Sequence, residues 1–148
     1  MNGLLIIDKP QGMTSFDVVR LVRKLCAACK KERPASAEEQ AVIDKVLGGI
    51  VDRELVPQKT NMLYEANKEG CAECHGRGYK GRIGIYEGIF MDSKIEAILR
   101  EKPSEREVLA AARGQGIPTM QEDGIIKVLG GVTSLEELMR VVDLESQM

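Results

Sequence analysis

The sequence predicts an α+β fold, mainly helical, built around a four-cysteine knuckle with short strands and closed by a C-terminal helical tail. Three observations predict it. All four cysteines of the 148-residue chain fall in two C-x-x-C pairs, Cys26-Ala-Ala-Cys29 and Cys71-Ala-Glu-Cys74. Four S/T-x-x-E boxes each precede an apolar stripe at helical spacing, and such a box lets a hydroxyl and a carboxylate satisfy two orphan N–H groups of a first helical turn. Two short stretches, Met62-Leu63-Tyr64 and Ile83-Gly84-Ile85-Tyr86-Glu87, have strand-like content.

In chain order, Thr14 to Leu25 is expected to be a first helix, with Thr14 or Ser15 as its cap, Asp17 in the first turn and Cys26 delivered at its end. Ser36 with Glu39 opens a second, with Val42, Val46 and Leu47 inward. The short strand at Met62 follows, then the second cysteine pair. The glycines of Gly76-Arg77-Gly78-Tyr79-Lys80-Gly81 mark a turn-rich loop before the strand at Ile83. A helix from about Ser93 to Glu101 turns Ile95, Ile98 and Leu99 inward and is stopped by Pro103. Ser104 with Glu107 precedes Val108, Leu109 and Ala112. Thr119 with Glu122 precedes Ile125, Val128 and Leu129, and this helix ends at Gly130-Gly131, where a left-handed residue is expected. Ser134 with Glu137 opens the last helix, with Leu138, Met139 and Val142 inward.

Four thiolates suit one tetrahedral zinc ion, because a C-x-x-C turn lets two sulfurs reach a metal at about 2.3 Å. The 41-residue spacer from Cys29 to Cys71 is longer than that of an ordinary ribbon. Loop closure grows only logarithmically, so the extra length costs well under about 1 kcal/mol, against roughly 10 kcal/mol for structural zinc. Residues 30 to 70 must then carry structure of their own. Disulfides are the first rival reading; they need an oxidising compartment, and Met1-Asn2-Gly3 lacks the basic start of a signal peptide. Cys71-Ala-Glu-Cys74-His75 also spells a haem attachment motif, which would leave the first pair without a role. A thioredoxin-like pair would want a β-α-β context that neither pair has. Zinc held by Cys26, Cys29, Cys71 and Cys74 is therefore the expectation.

Composition bounds the rest. With no Trp, two Phe and three Tyr, the core must be mostly aliphatic. Residues 1 to 31 carry six Lys/Arg against two Asp, a net of +4, while residues 32 to 148 carry fifteen against twenty-one, a net of −6. Arg20, Arg23, Lys24, Lys30 and Lys31 read as a solvated basic helix face, with an anionic partner as the alternative. No stretch approaches the roughly 20 apolar residues of a membrane span, so no membrane insertion is expected. There is no G-x-x-x-x-G-K-[ST] phosphate loop, and Gly48-Gly49 and Gly130-Gly131 do not substitute for one. No Ser-His-Asp set can be assembled around the single His75. The carboxylate pairs Glu38-Glu39, Glu122-Asp123 and Glu136-Glu137 fall in helix first turns, where capping accounts for them better than acid–base chemistry. The chain is accordingly expected not to be an enzyme.

From about Arg20 onward the chain resembles the C-terminal part of the type II secretion and type IV pilus assembly ATPases. The resemblance rests on Arg20-Leu21-Val22-Arg23-Lys24-Leu25-Cys26-Ala27-Ala28-Cys29, Gly70-Cys71-Ala72-Glu73-Cys74 and Gly78-Tyr79-Lys80-Gly81-Arg82-Ile83-Gly84-Ile85-Tyr86-Glu87. It continues through Gly116-Ile117-Pro118-Thr119-Met120, Glu122-Asp123-Gly124 and Gly131-Val132-Thr133-Ser134-Leu135-Glu136-Glu137. It implies a cytoplasmic hexameric motor, peripheral to the inner membrane, that couples ATP hydrolysis to an inner-membrane platform. It also implies Cys26, Cys29, Cys71 and Cys74 as structural zinc ligands. ATP binding belongs to the parent family and is not expected of this segment alone. Arg77, Lys80 and Arg82 are candidate contacts to an acidic partner in the secretion or pilus machinery, with a solvated loop or local ion pairs as the alternative.

Residues Gly3 to Val19, Gly-Leu-Leu-Ile-Ile-Asp-Lys-Pro-Gln-Gly-Met-Thr-Ser-Phe-Asp-Val-Val, look like the opening of the tRNA pseudouridine synthases that modify the T-loop uridine. That resemblance implies RNA as a partner under an alternative reading, in which the chain is a remnant without its catalytic segment. The expected organisation is a synthase-like end at 1–19, a four-cysteine module at 20–90 and a helical tail at 91–148.

Overall fold

The computed structural model describes residues 19 to 144. The expected synthase-like end lies outside these residues except for Val19. Among the described residues there are two two-stranded antiparallel sheets and five α-helices, an α+β arrangement in which helices dominate less than expected.

The first correction concerns the expected helix over Thr14 to Leu25. Its described part, Val19–Leu25, is a strand, β1, paired antiparallel with β4 (Tyr79–Tyr86). Val22 and Leu25 are both buried, and their spacing of three imitates a helix face. The ladder shows otherwise: where the register shifts between Arg23 and Leu25, Lys24 of β1 stands opposite two residues of β4, so the extra residue of the bulge belongs to β4, and Leu25 is buried outside the core cluster that Val22 joins. The basic face is corrected with it. Alternation sends Arg20 and Lys24 to one side of β1 and Arg23 to the other.

After the first cysteine pair, β2 (Lys31–Pro34) pairs antiparallel with β3 (Met62–Glu65), with Lys31 opposite Glu65 and Arg33 opposite Leu63. Between them stands α1 (Ala37–Gly49), capped by Ser36 and Glu39 in a complete box. Arg33 reaches Glu39 at 2.6 Å and Glu65 at 3.1 Å, tying the strand pair to the first turn of α1. Arg33 holds the Glu39 carboxyl down to about 2.

Beyond β4, α2 (Ser93–Arg100) and α3 (Glu105–Ala112) pack on each other, while α4 (Met120–Leu129) and α5 (Leu135–Val141) close the main core. That core gathers Val22 and Ile85 from the β1–β4 sheet, Leu63 from β3, Ile43, Val46 and Leu47 from α1, and Ile125, Val128 and Leu138 from α4 and α5. Each of these side chains is nearly free of solvent, so each contributes roughly 1.5–3 kcal/mol relative to leaving it exposed. Ser104 and Thr119 cap α3 and α4 in complete boxes, and Gly131 takes the expected left-handed conformation, at φ +70°. Two expected core residues face solvent instead: Leu99 is 38% exposed and Met139 53%, because the inward stripes run through Ile95 on α2 and through Leu135 and Leu138 on α5.

Candidate metal centre

The cysteine site lies at the closed end of the β1–β4 ladder. β1 ends in buried Cys26, and the turn that follows is closed by the Cys29 and Lys30 N–H groups, which donate to the Cys26 carbonyl at 3.2 and 2.9 Å. A 3-10 turn over Ala72–Cys74 then carries the second pair into β4. The ladder continues across the site, with the Cys26 N–H donating to the Gly78 carbonyl at 3.0 Å. Cys26 is thus presented by the end of a strand, not of a helix as the sequence suggested.

The four Sγ atoms all lie within 4.8 Å of one another. Cys26 to Cys71 is 3.7 Å, Cys29 to Cys74 is 3.8 Å and Cys71 to Cys74 is 3.8 Å. A tetrahedron with metal–sulfur bonds of about 2.3 Å has edges of about 3.8 Å, so the sulfurs stand where a tetrahedral ion would hold them. A disulfide requires about 2.05 Å, and all four cysteines are free. His75 lies outside the cluster, exposed, at φ 52°.

The backbone favours charge on one sulfur in particular. The N–H groups of Cys71 and Gly78 both donate to Cys74 Sγ at 3.2 Å. Burial works against that thiolate, but these donors outweigh it and bring Cys74 down to about 6. Burial, and then the hydrogen bonds of its cysteine neighbours, push Cys29 up to about 12. Four thiolates this close repel one another, so a divalent cation is what would let all four ionise together. The donor set, the spacing and the N–H groups therefore fit a thiolate-bound metal. Glycine is required beside it: Gly70 has φ +62°, and a Cβ there would run into the backbone of Gly76 and lie 2.8 Å from Arg77 N.

Behind the site, Glu137 anchors β1 to α5. Its carboxylate, 1% exposed, accepts from the Arg23 backbone N–H at 3.0 Å, from Arg23 Nη2 at 2.7 Å and from Arg140 Nη2 at 2.7 Å. Burial raises its proton affinity, yet the two guanidinium groups hold it down at about 2. The capping box expected at Ser134 is half made. Its hydroxyl accepts from the Glu137 N–H at 3.2 Å, while the carboxylate turns to Arg23 and Arg140. Arg23 also lies 4.2 Å over the Tyr79 ring, and the Tyr79 and Ser134 hydroxyls are 2.9 Å apart. Lys30 Nζ donates to the Gly131 carbonyl at 2.8 Å. The ties of Arg23 to Glu137 and Tyr79, of Tyr79 to Ser134 and of Lys30 to Gly131 escaped sequence reading because each joins residues more than fifty positions apart.

Arg77, Lys80 and Arg82 are all exposed. Lys80 is paired with Glu73 at 2.9 Å; no carboxylate among the described residues pairs with Arg77 or Arg82.

Residues 11–140 match the model of a family described as type II/IV secretion system protein. The chain belongs to this family. Among curated relatives, it is 41% identical over 122 residues to the type II secretion system protein E of Pseudomonas aeruginosa, covering 82% of this chain and 22% of that one. It is 34% identical over 122 residues to the type II secretion system ATPase E of Vibrio cholerae, with the same coverage. Over 139 residues it is 34% identical to the type IV pilus assembly ATPase PilB of Acinetobacter baylyi, covering 88% of this chain and 22% of that one. The chain thus spans about a fifth of the length of these relatives.

These matches overturn the expectation of a non-enzyme, which rested on the missing phosphate loop. The family's named members include ATPases, and a segment one-fifth their length need not carry their phosphate loop. No helix among the described residues is long and apolar enough to cross a membrane.

Proposed function

We propose that this chain is the zinc-binding portion of an ATPase of type II secretion or type IV pilus assembly. In this reading Cys26, Cys29, Cys71 and Cys74 hold one zinc ion that ties the end of β1 to the start of β4. The ion is structural: four sulfurs fill a tetrahedral shell and leave no position for water or substrate. The observation that carries the reading is the set of 3.7–3.8 Å sulfur separations with two N–H groups aimed at Cys74 Sγ.

The whole protein would hydrolyse ATP in the cytoplasm, at the periphery of the inner membrane, and drive the platform of the secretion or pilus machinery. The relatives' names and the shared segment support this. Exposed Arg77 and Arg82 are offered to an acidic partner; Lys80 takes a smaller share because Glu73 already meets it.

Metal analysis of chain purified under reducing conditions tests the proposal. One zinc per chain is expected, lost on chelation together with the β1–β4 amide protection, since structural zinc is worth roughly 10–16 kcal/mol against the 5–15 kcal/mol of a whole domain. A chain that keeps its fold with no metal bound, or that binds zinc equally after Cys74→Ser, would remove the structural role.

A further inference from the structure

The turn between α4 and α5 is gripped residue by residue, and each grip comes from β1 or from a residue flanking a cysteine pair. The Gly131 carbonyl accepts from Lys30 Nζ at 2.8 Å, and the Val132 carbonyl accepts from the Leu25 N–H at 2.8 Å. Thr133 Oγ1 donates to the Arg23 carbonyl at 2.8 Å, and the Ser134 hydroxyl lies 2.9 Å from that of Tyr79. Leu25 immediately precedes Cys26, and Lys30 immediately follows Cys29. Tyr79 follows Gly78, whose N–H donates to Cys74 Sγ at 3.2 Å and whose carbonyl accepts from the Cys26 N–H at 3.0 Å. Three of the four cysteines thus stand next to a group that holds this turn. Every group in these bonds lies among the described residues, so the grip is complete without any other part of the protein.

Thr133 and Ser134 are buried, so their hydroxyls are costly to leave without these partners. The turn also sets the next helix. Ser134 caps α5, and α5 delivers Leu135 and Leu138 to the main core. The grip needs both cysteine pairs at once: Lys30 belongs to the first, Tyr79 to the second, and the two are joined through the chain only by residues 31 to 78. Leu25 and Tyr79 form the last pair of the β1–β4 ladder, the place where a two-stranded sheet frays first. A metal held by all four sulfurs would close that end and fix Leu25 and Lys30 against Tyr79 at the spacing the turn requires.

We infer that the metal centre is a latch on the α4–α5 turn, with Lys30, Tyr79 and Thr133 as its positioning residues. Metal binding closes the grip on Gly131 to Ser134 and seats α5 on the core; by linkage, an intact grip strengthens metal binding by the same factor. The inference rests on the proposed four-cysteine site and adds a third element to it, since the ion then governs α5 as well as joining β1 to β4.

Zinc affinity of the full chain, measured by competition with a chelator, reads the coupling. Tyr79→Phe and Thr133→Val each remove one bond and no charge, and each should weaken zinc binding about fivefold. Lys30→Met should do the same, and Lys30→Arg, which keeps a donor, should restore most of the affinity. Ser104→Ala removes the cap of α3, which packs on α2; it lowers stability by a comparable amount and should leave zinc binding unchanged. Amide exchange gives a second readout. On chelation the Leu138 and Val142 N–H groups, which donate to the Ser134 and Leu138 carbonyls at 3.1 and 2.9 Å, should exchange at least tenfold faster, while those of Val46 and Leu47 inside α1 hold. Unchanged affinity in Tyr79→Phe and Thr133→Val would overturn the latch and leave the metal site standing. So would an equal loss in Ser104→Ala, or release of the α1 amides together with those of α5. A chain that takes up no zinc would overturn both. The amide spectrum of each variant reports its folding separately.

Discussion

Replacing Glu137 tests how much of the fold hangs on one buried carboxylate. It is 1% exposed and binds the Arg23 backbone, the Arg23 guanidinium and the Arg140 guanidinium. Its carboxyl lies at about 2 instead of the ordinary 4.5, although burial alone would raise it. A difference of about 2.5 units at 1.36 kcal/mol each is about 3 kcal/mol, an upper figure because Arg23 and Arg140 are themselves half exposed. Glu137→Ala also leaves the Arg23 N–H and the end of β1 without an acceptor, so its cost is expected at about 3–5 kcal/mol. Glu137→Gln keeps the shape and one acceptor oxygen and should cost about 2 kcal/mol. Urea unfolding of the zinc-loaded chain, followed by circular dichroism at neutral pH, measures both. If Glu137→Ala cost less than about 1 kcal/mol, the cluster would behave as an exposed ion pair and the anchoring of β1 through Glu137 would be wrong.

The same carboxylate sets an acid limit. Its folded value lies below its unfolded one, so its stabilisation is complete above about pH 4.5 and disappears as pH falls toward 2. Urea midpoints should therefore drop across that window, with a shallower slope in Glu137→Gln. Glu39, held down to about 2 by Arg33, adds to the drop with the same sign. Gly70→Ala forces a side chain into a left-handed position against the Gly76 backbone; zinc affinity by competition with a chelator should fall at least tenfold. Gly124→Ala places a methyl against Leu138, which is fully buried and 2.9 Å away at Cδ2. It should destabilise by about 1–2 kcal/mol in thermal unfolding despite the better helix propensity of alanine.

Local chemistry was legible and long-range pairing was not. Ser36, Ser104 and Thr119 could be placed at helix starts because a capping box is complete within four residues. At Ser134 the same pattern misled by half, since Arg23, 114 positions away, draws the Glu137 carboxylate from its expected partner. β1 reads as a helix because Val22 and Leu25, three apart, are both apolar; the structure buries them in different surroundings, Val22 in the main core and Leu25 outside it. β2 carries no apolar signal in Lys-Glu-Arg-Pro and exists through its pairing with β3. The four cysteines could be grouped by their C-x-x-C spacing, but that spacing does not say that Cys26 neighbours Cys71 and Cys29 neighbours Cys74. Nor does it show that backbone N–H groups single out Cys74.

The position of the cysteine cluster has a mechanical consequence. β1 and β4 run antiparallel, with Val19 opposite Tyr86 at the open end and Leu25 opposite Tyr79 beside the cysteines. Tension applied across the open end would unzip the ladder pair by pair until it reached the cysteines. An ion held by the four proposed ligands would serve as the turn of this hairpin, a knot of metal–sulfur bonds where a tight loop would ordinarily sit. Residues 30 to 70, with α1 and the β2–β3 pair, then hang beyond the knot, off the line of force. A segment braced in this way would bear load along β1 and β4 while its largest excursion is left unstretched.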